Sequence, residues 1–194
     1  MKYLSIDIEA TGLGAQDLMI EFAMIPFCSE THSFENKLAK NFLIQCPSFE
    51  ILKPNLDNWV IEHNQELINK AHTTGISLNK LKNELECWLQ SEEVKNYFSP
   101  NPKNKITIFG KSLNAIDLPF LNRDLGFEFM RQYFNHQTLD LSSVVMGLVD
   151  MKKLPKECLS GSELMKHFNL GDVSHTALED AINTAKLYFK LLTL

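Results

Sequence analysis

Little in this chain suits it to cross-link, span a membrane or coat a polyanion. Its four cysteines, Cys28, Cys46, Cys87 and Cys158, stand far apart among 194 residues, with no Cys-x-x-Cys pair. That spacing argues against a disulfide framework or a zinc site and fits a reducing compartment. No apolar run approaches the ~18 residues of a membrane span, so no membrane partner is expected. Asp7 and Glu9 interrupt the first apolar stretch too early for a secretory leader. Positive charge is in deficit: 19 Lys and Arg against 24 Asp and Glu leave a net charge of −5. This argues against coating long nucleic-acid tracts by electrostatics alone, yet allows an enzyme that recruits cations to meet a phosphate. There is no internal repeat and no low-complexity tract. The expectation is a cytoplasmic globular protein, with residues 1–194 forming a single domain that has a substantial core.

What is present begins with SIDIEATGL, Ser5 to Leu13. Read as a strand, Leu4, Ile6 and Ile8 share one face, while Tyr3, Ser5, Asp7 and Glu9 share the other. At roughly 3.3 Å per residue the two carboxylates start about 7 Å apart on one face. Thr11-Gly12 then signals a turn. Two acids closing a strand repel each other, so either water solvates them or something positive belongs there.

Residues 2–9 and 18–27 read as strands, and 33–46 contains a third, giving an antiparallel meander. Helical spacing runs over 55–71 and again over 77–90, where Leu78, Leu81, Leu85, Trp88 and Leu89 form a stripe. The proline-containing stretch 99–105 reads as a loop, 105–110 as a short buried strand and 114–124 as a helix. A fifth strand is expected within 136–141 and a helix over 142–152. Ser160 with Glu163 matches a capping box that opens a helix running to about Phe168. The last helix is expected from about Thr176 to Leu192. Three early strands followed by alternating helices and strands indicate an α/β protein with a mixed sheet.

Two further acids stand out. Asp117 lies between Ile116 and Leu118, where it reads either as an exposed helix acid or as part of a site. Asp180 falls in the first turn or so of the last helix, a place that also suits an acid through the helix dipole. His175 precedes that helix and can approach the same site only from a loop, because five helical residues turn by about 500°.

In order, DIEATG (Asp7 to Gly12), IDLPFL (Asp117 within it) and HTALED (His175 to Asp180) resemble the three motifs of the DEDDh family of 3′→5′ exonucleases. IEFAMI (20–25), the stretch 61–78 and TLDLSSV (138–144) echo the same family. The resemblance covers nearly the whole chain. It implies a ribonuclease H-like mixed sheet of about five strands, three antiparallel and then parallel, flanked by helices. Two departures stand out: Ala10 replaces a frequent Thr, and Ser112 and Asn114 are the nearest polar residues where many members carry Gly-Asn or His-Asn before the acid.

The implied chemistry is metal-dependent hydrolysis of a phosphodiester at a single-stranded 3′ end of DNA or RNA, releasing nucleoside 5′-monophosphates. Two divalent ions, Mg²⁺ or Mn²⁺, about 3.5–4 Å apart suit that reaction, and such hard ions want oxygen ligands. The resemblance implies that Asp7 bridges both ions, that Glu9 and Asp180 complete the site of the attacking water, and that Asp117 serves near the leaving-group ion. His175 is implied as the general base, since an ordinary imidazole titrates near 6.5. A carboxylate pair at ~4 Å costs about 4 kcal/mol at an effective dielectric of 20, so without cations some of these acids should have raised pKa values. Backbone near Thr11 and Gly12, with the side chain of Leu13, is implied to abut the terminal nucleotide, though Leu13 also reads as plain core. His63 is either a substrate-facing histidine or an exposed helix residue. Lys111, Arg123 and Arg131 could meet the backbone or simply decorate the surface. The alternatives to a stand-alone trimming enzyme are a polymerase-associated proofreading exonuclease and a non-catalytic nucleic-acid-binding module.

Overall fold

The computed structural model describes residues 1–98, 105–171 and 176–194. Of the expected loop at 99–105, residues 99–104 lie outside the described residues, as does the candidate base His175. In chain order come β1 (Lys2–Ala10), β2 (Met19–Cys28), β3 (Ser33–Phe34) and β4 (Lys40–Leu43). A helical stretch comes next: α1 (Phe49–Leu52), α2 (Asn58–His63), α3 (Gln65–Thr74), α4 (Leu78–Gln90) and α5 (Glu92–Phe98). The remainder alternates: β5 (Ile108–Gly110), α6 (Asp117–Asp124), α7 (Phe127–Tyr133), β6 (Leu139–Asp140), α8 (Leu141–Asp150), α9 (Gly161–His167) and α10 (Ala177–Leu191).

The strands form one mixed sheet in the order β3-β2-β1-β5-β6, with β4 also paired to β2. β2, β3 and β4 make the antiparallel part with β1; β5 and β6 continue it in parallel. There are six strands rather than about five because a 3₁₀ turn at Asn36–Leu38 splits the region 33–46 into two short partners of β2.

β1 follows its alternation. Leu4, Ile6 and Ile8 pack with Leu81, Leu85, Trp88 and Phe120 on one face. Tyr3 joins Phe27, Phe109, Leu141 and Ala185 on the other. Both faces are therefore covered, as strands inside a parallel sheet require. The second cover is α10. Its Ala177, Ala181 and Ala185 are fully buried, and small side chains let the helix backbone come close to the sheet. The Ser5 hydroxyl donates to the Ala181 carbonyl at 2.7 Å, fixing that approach within the core.

Three expectations need correction. The single helix over 55–71 is two helices, α2 and α3, divided at Asn64. Asn64 is buried and its side-chain amide donates to the Ala10 carbonyl at 3.3 Å. The capping box does not form: the Ser160 hydroxyl engages Ser162 Oγ at 2.9 Å, and Glu163 pairs with Lys166 at 2.8 Å. The helices α1, α5 and α7 go beyond the expected set; each has seven residues or fewer, too short for periodicity to declare itself. Among the described residues no helix is long and apolar enough to cross a membrane.

Candidate active site

Asp7 and Glu9 end the face of β1 that Tyr3 and Ser5 begin, so the strand delivers them just beyond the start of α10. Asp180, in the first turn of α10, meets them there. One carboxylate oxygen from each of Asp7, Glu9 and Asp180 lies within 4.8 Å of the others. Asp117 opens α6 and is only 3% exposed, which removes its reading as a solvent-facing helix acid. All four acids line one cleft of about 390 Å³.

The supports of these acids come from residues that the sequence reading did not single out. Glu21 faces Glu9 across the β1–β2 ladder and is buried. One of its oxygens accepts from Asn41 Nδ2 at 2.8 Å and the other from the Ala177 backbone N–H at 3.1 Å. Glu21 thus satisfies an orphan donor at the start of α10, three residues before Asp180. Asp140 caps α8 by accepting from Ser143 N at 3.2 Å. The same carboxylate accepts from Ser112 N at 3.3 Å and Leu113 N at 2.7 Å, holding the loop that leads to Asp117. This grip holds Ser112 at φ 58°, a left-handed conformation that a non-glycine residue keeps only when its surroundings enforce it.

The turn after β1 is closed by Asp17. Its carboxylate accepts from Thr11 Oγ1 at 3.1 Å and Gly14 N at 2.7 Å, while Thr11 Oγ1 accepts from Leu18 N at 2.8 Å. A Cβ on Gly12 would lie 2.5 Å from Asp17 Oδ2, so glycine is needed for close approach. The Thr11 side chain is committed to this turn. Leu13, at its tip, is 72% exposed, which removes its reading as core.

Other residues named from sequence sort clearly. Phe120 is core. Arg123 is committed to structure, bonding the carbonyls of Ala15 and Asp17 and pairing with Asp124. Arg131 stacks over Phe127. His63 is exposed; its ring stacks on Trp59 with centroids 4.5 Å apart and its Nδ1 bonds the Trp59 carbonyl at 2.8 Å. It is Trp59, 52% exposed, rather than His63, that lines the cleft. Lys111 lines it too.

The electrostatics match a crowd of carboxylates without counter-ions. Burial pushes Glu9 up to about 7, aided by Asp180 and Glu21. Burial likewise raises Asp117 to about 7, against hydrogen bonds from its own and the Ile8 backbone. Asp180 rises to about 6 through burial, opposed by Lys111. Asp7 is raised well above the carboxylate range, first by burial and then by Asp117, Glu9 and Asp180. An all-oxygen donor set with this mutual repulsion fits hard divalent cations: Asp7, Glu9 and Asp180 are placed to hold one, and Asp117 borders the same space.

These shifts link protonation to stability. Each acid binds its proton more tightly folded than unfolded, so the metal-free fold has this contribution in full below about pH 4 and loses it as pH rises through about 6–7. Thermal melts in chelator should therefore show Tm falling between about pH 4 and pH 7. Mg²⁺ or Mn²⁺ near pH 7.5 should restore it, because a ligand that binds only the folded state stabilises that state. A flat chelator profile would mean that the carboxylates do not share their field.

No protein-family model and no curated protein sequence matches this chain. Solved structures do. Cell-death related nuclease 4 superposes with a TM-score of 0.68 at 14% identity, over 99% of this chain and 64% of that one. The nuclease domain of 3′hExo, a DEDDh family member bound to rAMP, gives 0.66 at 12% identity, over 99% and 92%. The chain has the DEDDh-exonuclease fold. Pop2p of S. pombe, in its Mg²⁺ and Mn²⁺ bound form, gives 0.66 at 14% identity, over 98% and 82%. The DEDDh-exonuclease fold thus accounts for almost all of this chain, which in turn spans a little under two thirds of the first of these relatives.

Proposed function

We propose that residues 1–194 form a single exonuclease domain that hydrolyses phosphodiester bonds at single-stranded 3′ ends of DNA or RNA, releasing nucleoside 5′-monophosphates. The observation that carries this reading is the convergence of Asp7, Glu9, Asp117 and Asp180, from three separate elements, on one cleft. Their raised pKa values point to a site built for cations, and the structural neighbours include a protein bound to Mg²⁺ and Mn²⁺ and another bound to rAMP. On this reading two divalent ions are held by Asp7, Glu9, Asp117 and Asp180. Bound there, they supply a deprotonated water near neutral pH and charge stabilisation at the leaving oxygen.

The chain's own groups do the rest. His175 takes the proton from the attacking water. Backbone around Thr11 and Gly12 borders the terminal sugar. Exposed Leu13 and Trp59 offer apolar surface to the terminal base, a sequence-tolerant contact because every base has a π-face. The four cysteines are unpaired thiols, consistent with a cytoplasmic site of action.

The test uses one single strand labelled at its 3′ or its 5′ end, incubated with Mg²⁺ or Mn²⁺. Immediate release of the 3′ label as mononucleotide, with the 5′ label retained on shortening fragments, is expected; a strand left intact under both ions would favour a binding module. Trp59→Ala should raise KM about tenfold while changing kcat little, since one base–aromatic contact is worth roughly 1–3 kcal/mol. An unchanged KM would remove Trp59 from the substrate path.

A further inference from the structure

The cleft contains a cation that the carboxylate chemistry does not explain. Lys111 follows β5 and lines the cleft together with Asp7, Glu9 and Asp180. It is close enough to Asp180 to oppose the rise of that acid's pKa. Among the described residues it forms no ion pair. Its side chain lies across Gly161: a Cβ there would fall 2.1 Å from Lys111 Nζ and 3.0 Å from Cε. Its backbone precedes Ser112, held by Asp140. Lys111 is thus an exposed lysine whose ammonium group lies over Gly161 at the wall of the cleft.

Lys111 and Gly161 also form one wall of a second hollow of about 160 Å³, lined by Leu141, Val145, Met146 and Leu164. The strand order gives this pair a direction. Trp59 sits on α2, which leads into α3 on the β2–β4 side of the sheet. Lys111 and the hollow lie on the β5–β6 side, with the β1 carboxylates between. A strand whose terminal nucleotide meets Trp59 and whose scissile phosphate meets the acids has Lys111 on the far side of those acids from Trp59.

We propose that Lys111 and the adjoining apolar hollow form a subsite for the nucleotide on the 5′ side of the cleaved bond. Lys111 pairs with the first intact phosphate upstream, and the hollow takes the nucleoside between the two phosphates. This rests on the exonuclease reading and goes beyond it. A phosphate at Lys111 offsets part of the cleft's negative charge, and it gives an acidic protein a local grip on a short strand without a basic surface.

The test compares a single-stranded pentanucleotide with thymidine 5′-(p-nitrophenyl) phosphate, which carries a terminal nucleoside and a scissile ester but nothing upstream. Compared at saturating Mn²⁺, so that Asp180 is ionised in both proteins, Lys111→Ala should lower kcat/KM about tenfold on the pentanucleotide and several-fold less on the nitrophenyl ester. The salt slope on the pentanucleotide should shrink by about 0.7, the single-strand value for one phosphate contact. Lys111→Arg should recover most of the loss. Met146→Glu, on the exposed rim of the hollow, should repeat the alanine pattern through repulsion. Equal losses on both substrates would place Lys111 at the scissile phosphate and overturn the subsite, as would no loss on either. Failure of the unaltered protein to cleave even the nitrophenyl ester would instead refute the exonuclease reading and take this inference with it.

Discussion

Asp7→Asn should lower nuclease turnover by about 10³-fold or more while leaving the metal-free protein as stable as before, or more so. The two halves of that expectation have one cause. Asp7 is the acid whose ionisation is opposed by the largest set of neighbours: after burial come Asp117, Glu9, Asp180 and Glu21. In the metal-free fold its carboxylate is a liability, and the amide removes the charge while keeping the shape. On the proposed function the same group becomes an essential ligand once divalent ions are bound. Losing about 10³ corresponds to ~4 kcal/mol of transition-state stabilisation, the scale expected of a site that offsets charge developing on a phosphate. Label release and thermal melts on one preparation check both halves. The Tm increase produced by Mn²⁺ in the unaltered protein should largely vanish in the variant. Wild-type turnover in Asp7→Asn would remove this residue from the chemistry. A large drop in metal-free Tm would show that its carboxylate serves the fold instead.

The parts of this site legible in sequence are those that local geometry dictates. Period 2 alone places Asp7 and Glu9 on one face of β1, and the alternating Leu4, Ile6 and Ile8 identify the opposite face as core. The helix carrying Asp180 announces itself through Ala177, Ala181 and Ala185. Asp117 is ambiguous until burial decides it, because an acid beside Ile116 and Leu118 has the same local pattern whether it faces water or a cleft. The supporting acids are harder to see. Glu21 and Asp140 act through partners 156 and 28 residues away, and only sheet register and crossover geometry bring those partners near. A weak signal exists for Glu21: it is a lone acid inside MIEFAMIPFC, an otherwise apolar and almost wholly buried strand, where a charge needs a dedicated partner. Trp59 escapes notice for the opposite reason. An aromatic at helical spacing ordinarily reads as core, and nothing local reveals that the break at Asn64 turns its helix to border the cleft. Lys111 stands out in sequence but cannot be placed there, since a lysine's long stem reaches wherever the loop beneath it is pinned.

His175→Ala should reduce turnover by roughly 10²–10⁴ while leaving divalent-ion stabilisation intact. The residue lies outside the described structure, but the start of α10 just after it is firmly held: Ala177 N donates to Glu21 and Ser5 donates to Ala181. Removing an imidazole upstream of that anchor therefore should not move Asp180. The diagnostic is the pH profile rather than the rate alone. Glu9 and Asp117 titrate at about 7 and Asp180 at about 6 when no cation is present. At limiting metal, then, the fall in rate toward acid reports proton competition at the carboxylates. At saturating Mn²⁺ the carboxylates stay ionised, and the acid limb that remains should belong to the group that must be neutral to accept the proton. In His175→Ala that limb should disappear at saturating metal, leaving the residual rate flat or rising with hydroxide concentration. A limb that survives the substitution at the same pH belongs to the carboxylates, and the proton acceptor would then have to be sought among them.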